Sequence, residues 1–216
     1  MTLSGGRSGE GPASEPPLGR PRLIVGLSGS SAPQLGATFL GVLRELGTVE
    51  SHLIMTEAAR ETIRLELGLA PSEVEALADV VHDPRDFAAP VSSGSFMTVG
   101  MVVIPCSVRT LAGVATGNSS DLLLRAADVC LKERRRLVLV VRETPLSLVH
   151  IRNMEIATLA GATILPPAPA FYHKPRSIED LLRHTAGKVL DQFGIEHDVF
   201  ARWTGSDRPV TTDGST

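Results

Sequence analysis

Five short apolar runs punctuate the chain, and helical patterns fill the intervals between them. "RLIVGLSG" (22–29), "SHLIMT" (51–56), "GMVVIPC" (100–106), "RLVLVVRE" (136–143) and "ATILPP" (162–167) are apolar nearly throughout, as strands buried on both faces are. After the first run, Leu35, Phe39, Val42 and Leu46 recur at helical spacing. "EAARETIRLELG", "PSEVEALA", "DLLLRAADVCLKERR", "SLVHIRNMEIATLAG" and "SIEDLLRHTAGKVLDQFG" continue the alternation, "PSEVEALA" opening on the Pro and Ser that suit a helix start. Between the third helical segment and the third strand lies a loop containing "SSGS".

Strands alternating with helices predict an α/β fold: a Rossmann-like or flavodoxin-like three-layer arrangement with a mostly parallel sheet. In such sheets ligands bind beyond the carboxyl ends of the strands. Four segments therefore form the candidate site: "LSGSSAP", "MTEAA", "PCSVRT" and "VRETP". Each follows a strand and each is rich in small, hydroxyl or charged residues, a coincidence that core packing does not require.

Composition narrows the setting. A chain of 216 residues with 43% hydrophobic content supports one domain with a sizeable core. The Gly/Ser/Pro-rich stretch 1–20 is expected to be a disordered arm, 21–203 the folded domain and 204–216 a polar tail. A net charge of -3, without basic clusters interleaved with aromatics, argues against a nucleic-acid partner. The one dense basic run, "KERRR" (132–136), ends a helical segment, where cations suit the dipole. No run approaches the ~20 apolar residues of a membrane span. Cys106 and Cys130 lie far apart with no ligand-like neighbours, which fits the reducing cytoplasm and neither a disulfide framework nor a zinc site.

The strand exits suggest the ligand. "GLSGSSAPQLG" lacks both the dinucleotide-binding glycine spacing and a P-loop lysine. A glycine turn leading into a helix still cradles anions, with Ser30 and Ser31 adding hydroxyl donors; an ordinary cap by Ser31 explains the stretch equally well. Thr56 is either a cap or a further donor. Arg142 and Glu143, ending a strand just before "TP", form either a surface pair or part of the site. Pro105 is expected to end its strand, because it cannot donate to a ladder, and Cys106 to fill space. Flavin mononucleotide (FMN) suits this inventory, its phosphate at the cradle and its ring edge at Ser107 and Thr110.

These same residues carry a family resemblance. "RLIVGLSGSS", "HLIMTEAAR", "VSSGSF", "GMVVIPCSVRTLAG", "RAADVCLKERRRLVLVVRETPL", "HIRNM" and "PPAPAFYHKPRSIEDLL" together resemble the flavin prenyltransferases of the UbiX type, from about residue 22 to Trp203. The resemblance implies a flavodoxin-like fold and a homo-oligomer, commonly a dodecamer, with active sites at subunit contacts. It implies transfer of a dimethylallyl group from dimethylallyl phosphate to nitrogen five and carbon six of reduced FMN, without a metal. The product would serve a UbiD-type decarboxylase, in ubiquinone biosynthesis among other routes.

Residue by residue, the resemblance implies FMN contacts by Gly29, Ser30, Ser31, Thr56, Ser107, Val108, Arg109, Thr110 and Arg142. It implies catalytic roles for Glu66, Lys132, Glu143 and Ser31. Donor contacts would come from Tyr172, Lys188, Arg125 and Lys132, with Phe87 and Trp203 lining the prenyl pocket. Three departures stand out: Lys188 replaces a usual arginine and loses its bidentate fork, Asp121 replaces a frequent asparagine, and the first turn reads "SGSSAP" rather than "SGASGA".

The chemistry asks for cations on a departing phosphate and an apolar, π-rich wall beside the allylic carbon. Arg125 and Lys132, seven residues apart, share a helix face and can act together; pairing with Asp121 and Asp128 is the alternative. Glu143, or the released phosphate, is the candidate base for ring closure. His150 is read as a helix-end or subunit-contact residue, and His52, His82 and His173 are likewise given no catalytic role. Two rivals remain open at this point. One is a flavin-dependent cysteine decarboxylase, whose "PASANT"-like loop and Met/Asn/Trp segment are absent here. The other is a non-catalytic flavin carrier or accessory subunit of an aromatic acid decarboxylase.

Overall fold

The computed structural model describes residues 19–203 and 205. The expected arm and polar tail lie outside the described residues, apart from Gly19, Arg20 and Gly205.

Six parallel strands form one sheet in the order β3-β2-β1-β4-β5-β6. They are β1 (Arg22–Leu27), β2 (Glu50–Met55), β3 (Val80–His82), β4 (Gly100–Cys106), β5 (Arg136–Val141) and β6 (Ala162–Ile164). The helices are α1 (Gln34–Leu46), α2 (Glu57–Thr62), α3 (Pro71–Glu75), α4 (Val108–Thr116), α5 (Leu122–Lys132), α6 (Leu148–Ala160) and α7 (Ile178–Phe193). The order reverses between β1 and β4, so the rim beside these two strands is the doubly wound switch point, where a crevice opens.

The apolar strands are explained by burial on two faces. Leu23, Val25 and Leu27 of β1, Val102 and Ile104 of β4, and Val138 and Val140 of β5 pack with α1 and α7. Their alternates Ile24, Met101, Val103, Leu137, Leu139 and Val141 pack with α4, α5 and the one buried residue of α6, Ala157. The period of two sends successive residues into separate cores, so nearly every strand position is apolar. Helix α1 comes close to the sheet at Gly36, where a Cβ would sit 2.6 Å from the Ile104 carbonyl oxygen.

One expectation changes. Pro105 lies inside β4 rather than ending it, at a register shift between Val103 and Cys106 that removes the demand for an amide donor. The expected FMN contacts Val108, Arg109 and Thr110 form the first turn of helix α4, capped by Ser107. Among the described residues no helix is long and apolar enough to cross a membrane.

Candidate active site

At the switch point, a cavity of about 460 Å³ opens over the strand ends. Gly29, Ser30, Ser31, Thr56, Ser107, Val108, Arg109, Thr110, Arg142 and Glu143 all line it. Four segments distant in sequence therefore meet at one rim, as the strand-end rule requires.

Side-chain ties hold the rim together. The buried Ser28 hydroxyl donates to the Pro105 carbonyl (3.1 Å) and accepts from the Ser107 amide (2.8 Å), joining the exits of β1 and β4. Ser30 donates to the Arg142 carbonyl (2.7 Å), joining β1 to β5. Gly29 is required by proximity: a Cβ there would lie 2.3 Å from that of Ala58. The hydroxyl of Ser30, expected as a ligand donor, is thus engaged by protein.

Ser31 does not cap α1, whose N-cap is Pro33. Its hydroxyl donates to Glu66 (3.0 Å), and the same carboxylate oxygen accepts from the Ala32 amide (2.9 Å). Glu66 reaches the turn from a π-helical segment, Ile63–Leu67, that continues α2. Such a widened turn re-aims a side chain, and here it turns a carboxylate onto the glycine turn. Ala32 holds a left-handed φ of 67°. Relief of that strain outweighs glycine's extra unfolded-state entropy, so Ala32→Gly should stabilise the protein by ~0.5–1 kcal/mol. Thermal unfolding would show this as an upward Tm shift of ~1–4 °C; an unchanged or lower Tm would contradict it.

Thr56 and Ser107 do cap their helices, accepting from the amides of Ala59 and Thr110 (both 3.2 Å), while each also lines the cavity. The first turn of α4 presents its remaining amides and positive dipole end to the same space. Glu143 accepts from the Thr144 amide (2.9 Å), which fixes one carboxylate oxygen at the cavity wall. The Cys106 thiol is fully buried, and desolvation drives its pKa far above the ordinary range; that of Cys130 is pushed up to about 12. Neither is a nucleophile, and Cys106 fills space as expected.

The remaining candidates fall into two other places. Arg125 and Lys132 lie together on α5, lining a second cavity of about 500 Å³ with Ser92, Ser93, Gly94 and Ser95. Arg125 pairs with Asp128 (2.7 Å) and Lys132 with Glu133, so neither i,i+4 pair of the alternative reading forms. The Asp121 carboxylate instead caps α5 at the Leu124 amide (2.8 Å). Tyr172 and Trp203 form a third group, their ring centroids 6.1 Å apart. Lys188 lies on the neighbouring α7, beside Asp191 (3.4 Å). Phe87 is half exposed. His150 caps α6 with Ser147, the helix-end role expected of it.

Sequence reasoning missed Ser28 and the contribution of β3, whose exit supplies Pro84 and Arg85 to the cavity. Recognition of the three-residue strand would have brought that exit under the same rule.

Comparison with known proteins decides the family. The Flavoprotein family model matches residues 13–189. Flavin prenyltransferase UbiX of Escherichia coli K12 is 55% identical over 187 residues, covering 86% of this chain and 99% of the relative. The chain belongs to the UbiX flavin prenyltransferase family. Among solved structures, AnUbiX (PadA1) in complex with FMN and dimethylallyl pyrophosphate superposes with a TM-score of 0.84 at 53% identity. It covers 87% of this chain and 100% of its own. A dodecameric FMN-dependent UbiX-like decarboxylase from Escherichia coli O157:H7 gives 0.82 at 50% identity, covering 85% of this chain and 100% of its own. The flavodoxin-like UbiX fold expected from the sequence is therefore the fold of this chain.

Proposed function

We propose that this member of the UbiX family transfers a dimethylallyl group from dimethylallyl phosphate to reduced FMN. The observation that carries the reading is the convergence of all nine expected FMN contacts, with Glu143, on one strand-end cavity. The residues fit the cofactor: helix N-termini and a tight glycine turn suit a phosphate, and polar groups line the remaining wall. When bound, reduced FMN supplies the nucleophilic nitrogen and carbon.

The protein's own work is positioning, charge and proton handling. Ser31, backed by Glu66, presents a hydroxyl at the cavity. Glu143 takes up the proton lost from the acceptor carbon at its carboxylate. Arg125, Lys132, Tyr172 and Lys188 hold the donor's phosphate and the charge that grows there as the allylic bond breaks. Trp203 and Phe87 provide apolar walls that exclude water.

One chain does not place these donor groups in its own strand-end cavity, which supports a site shared between copies. Helix α6 supports self-association independently. It buries only Ala157 and leaves Leu148, Val149, Ile151 and Leu159 at least half exposed, more apolar surface than a single helix on a monomer ordinarily leaves to water. A dodecamer that works in the cytoplasm and hands its product to a UbiD-type decarboxylase completes the reading.

The test is incubation of the purified protein with reduced FMN and dimethylallyl phosphate, followed by mass spectrometry of the flavin. A gain of one prenyl unit is the expected result. Unchanged flavin would favour a carrier, and oxidation of a thiol substrate a cysteine decarboxylase.

A further inference from the structure

Tyr172 does not stand alone in its loop. Its hydroxyl lies 3.0 Å from Nε2 of His184, one turn before Lys188 on α7. His184 is only 6% exposed and is clamped on two sides. Its ring stacks on His173 with centroids 4.7 Å apart and planes 4° from parallel, and Phe200 packs against it at 4.6 Å. Gly187 admits Phe200: a Cβ there would sit 2.4 Å from the Phe200 ring. Such a clamped imidazole fixes the Tyr172 oxygen, and the direction of the shared hydrogen fixes where the phenolic proton points.

We propose that His184 is a positioning residue for the allylic phosphate: its Nε2–H donates to the Tyr172 oxygen and turns the Tyr172 proton outward to a phosphate oxygen. This rests on the reading of Tyr172 as a donor-binding residue. With the opposite tautomer, Nε2 accepts from Tyr172, and the phosphate then meets a lone pair instead of a hydrogen. A phosphate bound at Tyr172 therefore favours a proton on Nε2 of His184, and protonated His184 can hold only the productive direction.

The surroundings set the sign of the pH dependence. Burial lowers the His184 pKa from its ordinary value, and the neighbouring His173 and Lys188 lower it further, while Asp191 opposes them. Asp191 is itself engaged by Arg202 (2.8 Å) and His197 (3.1 Å). From α1, Glu45 is engaged by Arg183 (2.9 Å). A phosphate dianion raises the pKa of His184, so donor binding takes up a proton there. The His184 contribution is full below its free-state pKa and fades as pH rises through the bound-state value. The phosphate's own titration is common to every variant and cancels in their ratio.

The experiment measures KM for dimethylallyl phosphate and FMN affinity at pH 5.5 and 7.5, in the wild type, His184→Gln and His184→Phe. Glutamine keeps a donor for Tyr172 without a titrating group; phenylalanine keeps the packing and removes the bond. The proposal expects His184→Phe to raise donor KM by about tenfold at pH 5.5, the size of one hydrogen bond to a charged group, with FMN affinity and subunit assembly unchanged. It expects the wild-type to His184→Gln ratio of donor KM to rise ~3-fold or more from pH 5.5 to 7.5. Donor KM equal to wild type in His184→Phe, or a pH-independent ratio, overturns it. So does loss of FMN binding in both variants, which would show a structural role only. Wild-type protein that leaves FMN unprenylated overturns the functional reading and this proposal together, an outcome separate from active variants that match an active wild type.

Discussion

Glu143→Gln should reduce prenyl transfer by ~10²–10⁴-fold while the protein still binds FMN. The two effects separate because the proposed function gives Glu143 two jobs. Its carboxylate oxygen accepts from the Thr144 amide at 2.9 Å, and glutamine can continue that bond through its carbonyl oxygen. The wall of the cavity therefore keeps its shape. Glutamine lacks the second job, since an amide takes up no proton at neutral pH. The Ser30 hydroxyl holds the preceding residue, Arg142, by its carbonyl at 2.7 Å, so the cavity-facing exit of β5 is anchored independently of residue 143. Single-turnover kinetics beside an FMN titration would check this. Wild-type turnover would remove Glu143 from proton handling, and lost FMN binding would make it a structural residue.

Lys132→Ala should lower kcat/KM by ~10²–10³-fold, the scale of removing one preorganised charge from a developing anion. The larger consequence concerns where that lysine acts. Lys132 lines a cavity with Arg125 and the Ser92–Ser95 loop, and not the strand-end cavity of its own chain. If a site draws Glu143 from one copy and Lys132 from another, two inactive variants can repair each other. Co-assembly of Lys132→Ala with Glu143→Gln chains should restore about a quarter of the sites, those in which a heterologous contact joins two intact residues. Activity that stays at the level of the separate variants would place both residues in one chain's site.

The sequence makes much of this architecture legible, for a definable reason. Strands β1, β2, β4 and β5 are buried on both faces, so an apolar run announces each, and the exit rule then locates the glycine turn, Thr56, Ser107 and Arg142 together. β3 escapes because it is three residues long and half-exposed at the sheet edge, which erases the pattern. Helix α4 escapes because Thr110 and Gly113 interrupt its apolar face, although Leu111 and Val114 point into the core. The heptad spacing of Arg125 and Lys132 places them on one face, yet spacing along a helix says nothing of what that face meets. The same holds for α6, where Leu148, Val149, Ile151 and Leu159 stay at least half exposed among the described residues. Ser28 lies hidden in plain view: only the fold shows that its hydroxyl joins strands whose linked residues are 77 and 79 positions away.

The most direct test is a crystal structure of the assembled protein with FMN and dimethylallyl phosphate bound. The account predicts the flavin among the Gly29–Ser31 turn, the first turn of α4 and the Arg142–Glu143 strand exit, with Lys132 from a neighbouring copy at the donor's phosphate. Flavin seated away from that rim, or a donor phosphate held only by residues of one chain, would contradict it.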